Sequence, residues 1–176
     1  RWVHYSMLEN KANFHALLDT DGIILSGSYQ MVSNPVTIHK YHHVIRLIKS
    51  YSKPLLGICF GHQLIGHCYH ASIRKMNHPN YHIENEKAME MTFENEFPLV
   101  NTSSIWVYQT HHQEIIPSTK FMQNFHIHAS SKACRVQAIS HRKKPLFGVQ
   151  FHPENPKHPQ AKKDGQKLIK NFVDLL

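Results

Sequence analysis

Two short apolar runs, each leading toward a helical pattern, leave this chain few ways to fold. Gly22-Ile23-Ile24-Leu25-Ser26 ends in Gly27-Ser28, and Leu55-Leu56-Gly57-Ile58 passes through Cys59 toward Gln63-Leu64-Ile65. A run of this length bounded by turn residues reads as a buried strand. Between the two, after Asn34-Pro35, the apolar positions Val36, Tyr41, Val44, Ile45 and Ile48 fall near a helical period, and Lys53-Pro54 closes that element. Strand, helix, strand, helix predicts a parallel sheet with right-handed crossovers.

The middle of the chain changes period. Met89, Met91 and Phe93 alternate with polar residues, and so do the segments near 105–108 and 125–129, which marks them as strands. Two more strands are expected at 136–140 and 146–151, joined by the basic turn 140–145. Leu168, Ile169, Phe172, Val173 and Leu176 outline an amphipathic helix at the C-terminal end. Before Gly22 the pattern is weak, with Phe14, Leu17 and Leu18 able to share one short helical face. No repeat or interdomain linker interrupts the pattern, so residues 1–176 are expected to form a single domain.

Composition closes off several functions. No run of eighteen apolar residues exists, so no membrane span or membrane partner is expected. The first residues carry no signal-peptide pattern and no initiator Met. A net charge of +8 admits acidic partners, but outside Arg142-Lys143-Lys144 and Lys162-Lys163 the basic residues are scattered without interleaved aromatics. A solvated surface is favoured over a nucleic-acid face. Cys59, Cys68 and Cys134 are an odd set with no CxxC spacing, a poor disulfide framework that suits the cytoplasm.

One cysteine stands apart. Gly57-Ile58-Cys59-Phe60-Gly61 follows a buried strand and precedes a helix, the cysteine form of a nucleophile elbow. Glycines two residues either side remove Cβ atoms that would collide where the chain reverses. The helix N-terminus favours a thiolate, and the N–H of Phe60 points where an oxyanion would form. A buried cysteine ahead of a helix is the bland alternative, and it is the reading given to Cys68. A base is supplied by Gly148-Val149-Gln150-Phe151-His152-Pro153-Glu154. The proline keeps His152 extended, and residues two apart on an extended segment face the same side, so Glu154 can orient its ring.

These segments resemble the class I glutamine amidotransferases, in their GMP-synthetase-like form. Pro54–Gln63 is similar to the family's nucleophile motif, Gly148–Glu154 to its histidine–glutamate motif, Asp21–Ser28 to the strand before its oxyanion loop, and Thr110–Glu114 to its Ser-His-Gly-Asp type segment. The resemblance implies a three-layer, flavodoxin-like α/β sandwich with a mainly parallel central sheet. It implies glutamine as substrate, no cofactor, and a Cys59, His152, Glu154 triad forming a γ-glutamyl thioester. It gives the oxyanion hole to the backbone of Phe60 and Ser28. Substrate contacts fall to Gly57, Gln63, Thr110, His111 and His112.

Two departures qualify that expectation. Gly27-Ser28-Tyr29-Gln30 stands where the family usually has Gly-Gly-Pro-Gly, a form closer to stand-alone members that include γ-glutamyl peptidases. The family's usual first strand has no match in residues 1–20, so either the chain is truncated there or that segment has diverged. Two activities follow from one triad: a glutaminase feeding ammonia to a synthetase domain or subunit, or a free-standing γ-glutamyl hydrolase. A regulatory domain that has lost activity is a third reading, against which the intact triad argues. The pairs His42-His43, His111-His112 and His126-x-His128 show no third ligand at short spacing, so no metal is expected. His62 reads as structural.

Overall fold

The apolar runs at 23–25 and 55–58 do pair, and they nucleate a sheet whose strand ends define one edge of the molecule. The structure is a computed structural model describing residues 1–84, 86–155 and 157–176. After a 3₁₀ turn at Tyr5–Glu9, the first half holds α1 (Lys11–Leu18), β1 (Ile23–Leu25), α2 (Pro35–Lys40), α3 (His42–Ser50), β2 (Leu55–Ile58) and α4 (Phe60–Cys68). Next come β3 (Ser72–Lys75), α5 (Tyr81–Glu84), β4 (Lys87–Thr92), β5 (Ser104–Gln109) and β6 (Gln113–Ile116). The chain continues with α6 (Thr119–Asn124), β7 (Phe125–Ala129), β8 (Ala138–His141), β9 (Leu146–Val149) and α7 (Pro159–Val173).

The central sheet has the order β1-β2-β9-β8-β7. β1, β2 and β9 are parallel neighbours, while β8 pairs antiparallel with both β9 and β7. Four strands therefore point one way and β8 alone opposes them, which is the mainly parallel α/β sheet expected. Leu25 faces Gly57 and Gly57 faces Gly148 across the ladder. That register brings the carboxyl ends of β1, β2 and β9 to a common edge, where ligands bind in such sheets.

Alternate residues supply two cores. Leu55 and Leu146 face one side and pack with Phe14 of α1, Val44, Leu47 and Ile48 of α3, and Leu64 and Ile65 of α4. Leu56 and Phe147 face the other, against Met91 and Val107 of the antiparallel β4–β5 hairpin and Leu168 and Phe172 of α7. The result is three layers: helices, sheet, then hairpin with α7.

Some elements differ from the sequence reading. The helix expected across 36–48 is two, because Tyr41 leaves helical geometry at φ −96, ψ 13. Val36, expected on the inner face, is exposed, and Leu47 is buried in the core. α7 is longer than its apolar signal and starts at Pro159 behind a His158 cap; Val173 and Leu176 at its end lie exposed. Residues 1–20 hold the 3₁₀ turn and α1, capped by Asn10, with no strand ahead of β1.

Candidate active site

β2 ends at Ile58 and α4 begins at Phe60, so Cys59 alone makes the turn between them. Its backbone is forced to φ 49, ψ −98, a conformation that costs a non-glycine residue on the order of 1–3 kcal/mol. The surroundings over-determine it. The Cys59 N–H donates to the Val149 carbonyl at 2.8 Å, and the Cys59 carbonyl accepts from Gln63 N–H at 3.0 Å. A Cβ on Gly57 would stand 2.6 Å from the Gly61 carbonyl carbon, and one on Gly61 would stand 2.5 Å from the Leu25 carbonyl oxygen. Only glycine lets β1, β2 and α4 close so tightly. Phe60, the first residue of α4, has an N–H with no intrahelical acceptor, at the positive end of the helix dipole.

His152 arrives from β9, the neighbouring strand. Its N–H donates to the Tyr108 carbonyl at 2.9 Å, which ties the segment after β9 to β5. The ring donates from Nδ1 to Glu154 Oε1 at 2.7 Å, as two-apart spacing on an extended segment predicts. The Cys59 sulfur lies within hydrogen-bonding reach of the same imidazole. With Nδ1 held by Glu154, Nε2 is the nitrogen left for sulfur. Burial opposes charge on this ring, but the hydrogen bonds and charges of Cys59 and Glu154 outweigh it and push the imidazole up to about 10. The third wall is the loop after β1, where a Cβ on Gly27 would meet His152 Cε1 at 2.8 Å and lie 3.6 Å from Cys59 Cβ.

The other two thiols lack this setting. Cys68 donates to the Ile45 carbonyl and burial pushes its thiol up to about 12. Cys134 donates to the Val136 carbonyl, and burial raises it further. A nucleophile on a strained elbow, facing a cationic imidazole oriented by a carboxylate, is equipped for acyl transfer through a thioester.

The sequence model of the family described as "Glutamine amidotransferase class-I" matches residues 1–175. The chain belongs to that family. Among its relatives, the glutamine-hydrolysing GMP synthase subunit of Thermoplasma acidophilum is 32% identical over 173 residues, 98% of this chain and 80% of the relative. The protein of the same name from Picrophilus torridus is 31% identical, over 98% of this chain and 85% of its own. A solved structure, assigned to the corresponding GMP synthase subunit of Thermoplasma acidophilum, superposes with a TM-score of 0.75 at 28% identity, covering 92% of this chain and 75% of that one.

Around the elbow of this amidotransferase the remaining candidate residues take up defined places. Ser28 is exposed beside Gly27, its Oγ accepting from the Gln30 N–H at 3.1 Å. Gly57 lies within β2 against the start of α4. Gln63 is buried, and its Nε2 donates to the Gln113 carbonyl at 3.0 Å and to Gln150 Oε1 at 3.1 Å. Thr110 is half-buried. His111 is buried between the Gln113 carbonyl and the Gln109 side chain, and desolvation lowers it to about 4. His112 is exposed, pairs through Nδ1 with the Tyr81 hydroxyl, and lends its carbonyl to the Met76 N–H at 3.0 Å. His62 is wholly buried and lowered to about 3 by burial, with Nε2 donating to the Val136 carbonyl.

Sequence reasoning did not single out Gln113 and Gln150, which hold Gln63 in place. Gln150 carried a signal, a long amide side chain between Val149 and Phe151, whereas Gln113 lies among the polar residues His112 and Glu114 and carried none. Of the histidine pairs, His126 meets Arg142 and His128 meets Ser140. Among the described residues no group of three or more His, Cys, Asp or Glu side chains is placed to hold a metal ion. Among the described residues no helix is long and apolar enough to cross a membrane.

Proposed function

We propose that this chain is the glutamine-hydrolysing component of a GMP-synthase-type amidotransferase, acting as one glutaminase domain over residues 1–176. The observation that carries it is Cys59, held on a positive-φ elbow within reach of an imidazole that Glu154 fixes at 2.7 Å. The thiolate attacks Cδ of glutamine, and the N–H groups of Phe60 and Ser28 receive the oxyanion. His152 hands its proton to the amine, which leaves as ammonia, and the γ-glutamyl thioester remains on Cys59. His152, now neutral, takes a proton from water as that water attacks the thioester, releasing glutamate and restoring the pair.

Gln63 spends both amide hydrogens on Gln113 and Gln150, which leaves its Oε1 as the group able to accept from the substrate ammonium. Gly57, Thr110, His111 and His112 complete the wall of that pocket. The chain's three cysteines are all free thiols, in keeping with a reducing cytoplasm. The names of the relatives favour a synthetase partner that accepts the ammonia over a γ-glutamyl hydrolase working alone.

The test is to assay the purified chain on glutamine and on a γ-glutamyl dipeptide, with and without the synthetase subunit from the same organism. Slow glutamine hydrolysis that rises when the synthetase is added is the expected result. Fast cleavage of the dipeptide with poor use of glutamine would overturn the proposal in favour of the hydrolase.

A further inference from the structure

The loop from Ser26 to Asn34 links β1 to α2 and carries Ser28, yet it holds no proline, helix or strand, and its Tyr29 side chain is fully exposed. β1 fixes its near end. The far end is held from eighty residues away, by Gln113, the first residue of β6. The Ser33 N–H donates to Gln113 Oε1 at 3.4 Å, and Gln113 Nε2 donates to Ser33 Oγ at 2.5 Å. Both ends of one buried amide therefore close on a single loop residue.

Strand geometry explains how Gln113 gets there. Gln113 and Ile115 share one face of β6, and Ile115 packs into the same core as Val32, the residue before Ser33. An apolar side chain of similar length would meet that packing need. The amide is the added part, and it ends on the loop. The main chain of the same residue serves the facing wall: its carbonyl accepts from Gln63 Nε2 and from His111 Nδ1, both at 3.0 Å. Gln113 thus joins the loop of Ser28 to the residue assigned to the substrate ammonium.

We infer that Gln113 is a positioning residue whose side chain clasps the far end of the oxyanion loop at Ser33 while its carbonyl holds Gln63, so that both are set in one frame. The inference rests on the proposed glutaminase reaction. Ser33 is exposed, so water satisfies its N–H and hydroxyl once the amide is removed, and what changes is the place of the loop. Losing an oxyanion donor costs about 10²–10³ in rate, so loosening one is expected to cost about ten-fold.

The experiment compares wild type, Gln113→Leu, Ser33→Ala and the double variant in the presence of the synthetase subunit. It reads kcat and KM for glutamine together with the rate at which iodoacetamide alkylates Cys59. Iodoacetamide displacement develops no oxyanion, so it reports on the thiolate and elbow alone. Gln113→Leu keeps the carbonyl that holds Gln63, so KM should stay within about two-fold while kcat falls about ten-fold. Ser33→Ala gives up one of the two bonds and should lower kcat about three-fold. Alkylation should be unchanged, and the double variant no worse than Gln113→Leu alone. Unchanged kcat, a KM that rises in place of a fall in kcat, losses that multiply in the double variant, or alkylation falling in parallel with kcat would each overturn it. If Gln113→Leu does not fold, Ser33→Ala at its exposed position decides, and an unchanged kcat there overturns the clasp. A wild type that releases no ammonia from glutamine overturns the glutaminase reading itself, and this inference with it. An active wild type with indifferent variants overturns this inference only.

Discussion

At Cys59 the strain and the chemistry coincide: the backbone that aims the sulfur also places it at the mouth of α4, beside His152. Cys59→Ala is expected to lower glutaminase turnover by at least about four orders of magnitude, as removal of a nucleophile in a concerted triad does. Cys68→Ala and Cys134→Ala should retain most of the rate, because those thiols are held up by burial and spent on backbone carbonyls. Labelling by a glutamine-derived diazo-ketone should map to Cys59 alone, and modification elsewhere would count against the assignment. The pH profile tests Glu154. His152 must be charged to protonate the leaving amine, and it stays charged until the pH approaches about 10. Glu154→Gln removes one of the two groups that raise it, so the alkaline limb of kcat/KM should move to lower pH. An alkaline limb that does not move would mean Glu154 only orients the ring.

At the scale of elements, the site depends on how closely α4 lies over β1 and β2. Gly61→Ala would drive a Cβ into the Leu25 backbone at 2.5 Å, which cannot yield without separating the helix from the strand. Gly66→Ala, near the C-terminal end of the same helix, meets side chains rather than backbone, Ile115 Cδ1 at 2.6 Å and Cγ1 at 2.9 Å and Ile73 Cδ1 at 3.4 Å. Overpacking against backbone is expected to cost about 1–3 kcal/mol, and the Gly66 change less, with activity lost only in Gly61→Ala. Urea midpoints and glutaminase rates of the two variants check this, and equal costs would deny the close approach its importance. The same contrast explains what was legible in the sequence. β1, β2 and the elbow announced themselves because unbroken apolar runs and paired glycines admit few structures. β3 did not, since only Ile73 of its four residues is buried. β6 was equally hidden, because Gln113 and Glu114 are buried polar residues whose partners come from distant segments, Ser33, Gln63 and Arg135. Tyr41 fits the apolar period of a single helix in the sequence, whereas in the structure it sits at a break between two helices with its ring against Tyr5 and Phe60, contacts that come from distant segments.

For the whole molecule, two buried histidines and the half-buried His152 set opposite limits on the pH range of stability. His62 and His111 are neutral in the fold, lowered chiefly by burial to about 3 and about 4, whereas in the unfolded chain each titrates near about 6.5. Below that value the unfolded state binds protons that the folded state refuses. Stability from these two rings is therefore complete above about pH 6.5 and is lost as pH falls, by about 1.4 kcal/mol per pH unit for each ring until its folded value is reached. His152 works the other way. Burial opposes its charge, yet Cys59 and Glu154 raise it to about 10, so its contribution is complete below about pH 6.5 and is lost as pH rises toward that folded value. The two trends predict a stability maximum near neutrality with separable limbs. Urea midpoints measured from about pH 4 to about pH 10 should show His62→Gln flattening the acid limb and leaving the alkaline one, because glutamine keeps a donor for the Val136 carbonyl without a titratable ring. His111→Asn should flatten the same limb from a second site. Cys59→Ala, which removes part of the upward push on His152, should flatten only the alkaline limb. If the acid slope survives both histidine changes, or if Cys59→Ala alters both limbs alike, the pH dependence belongs to other groups and these rings are spectators.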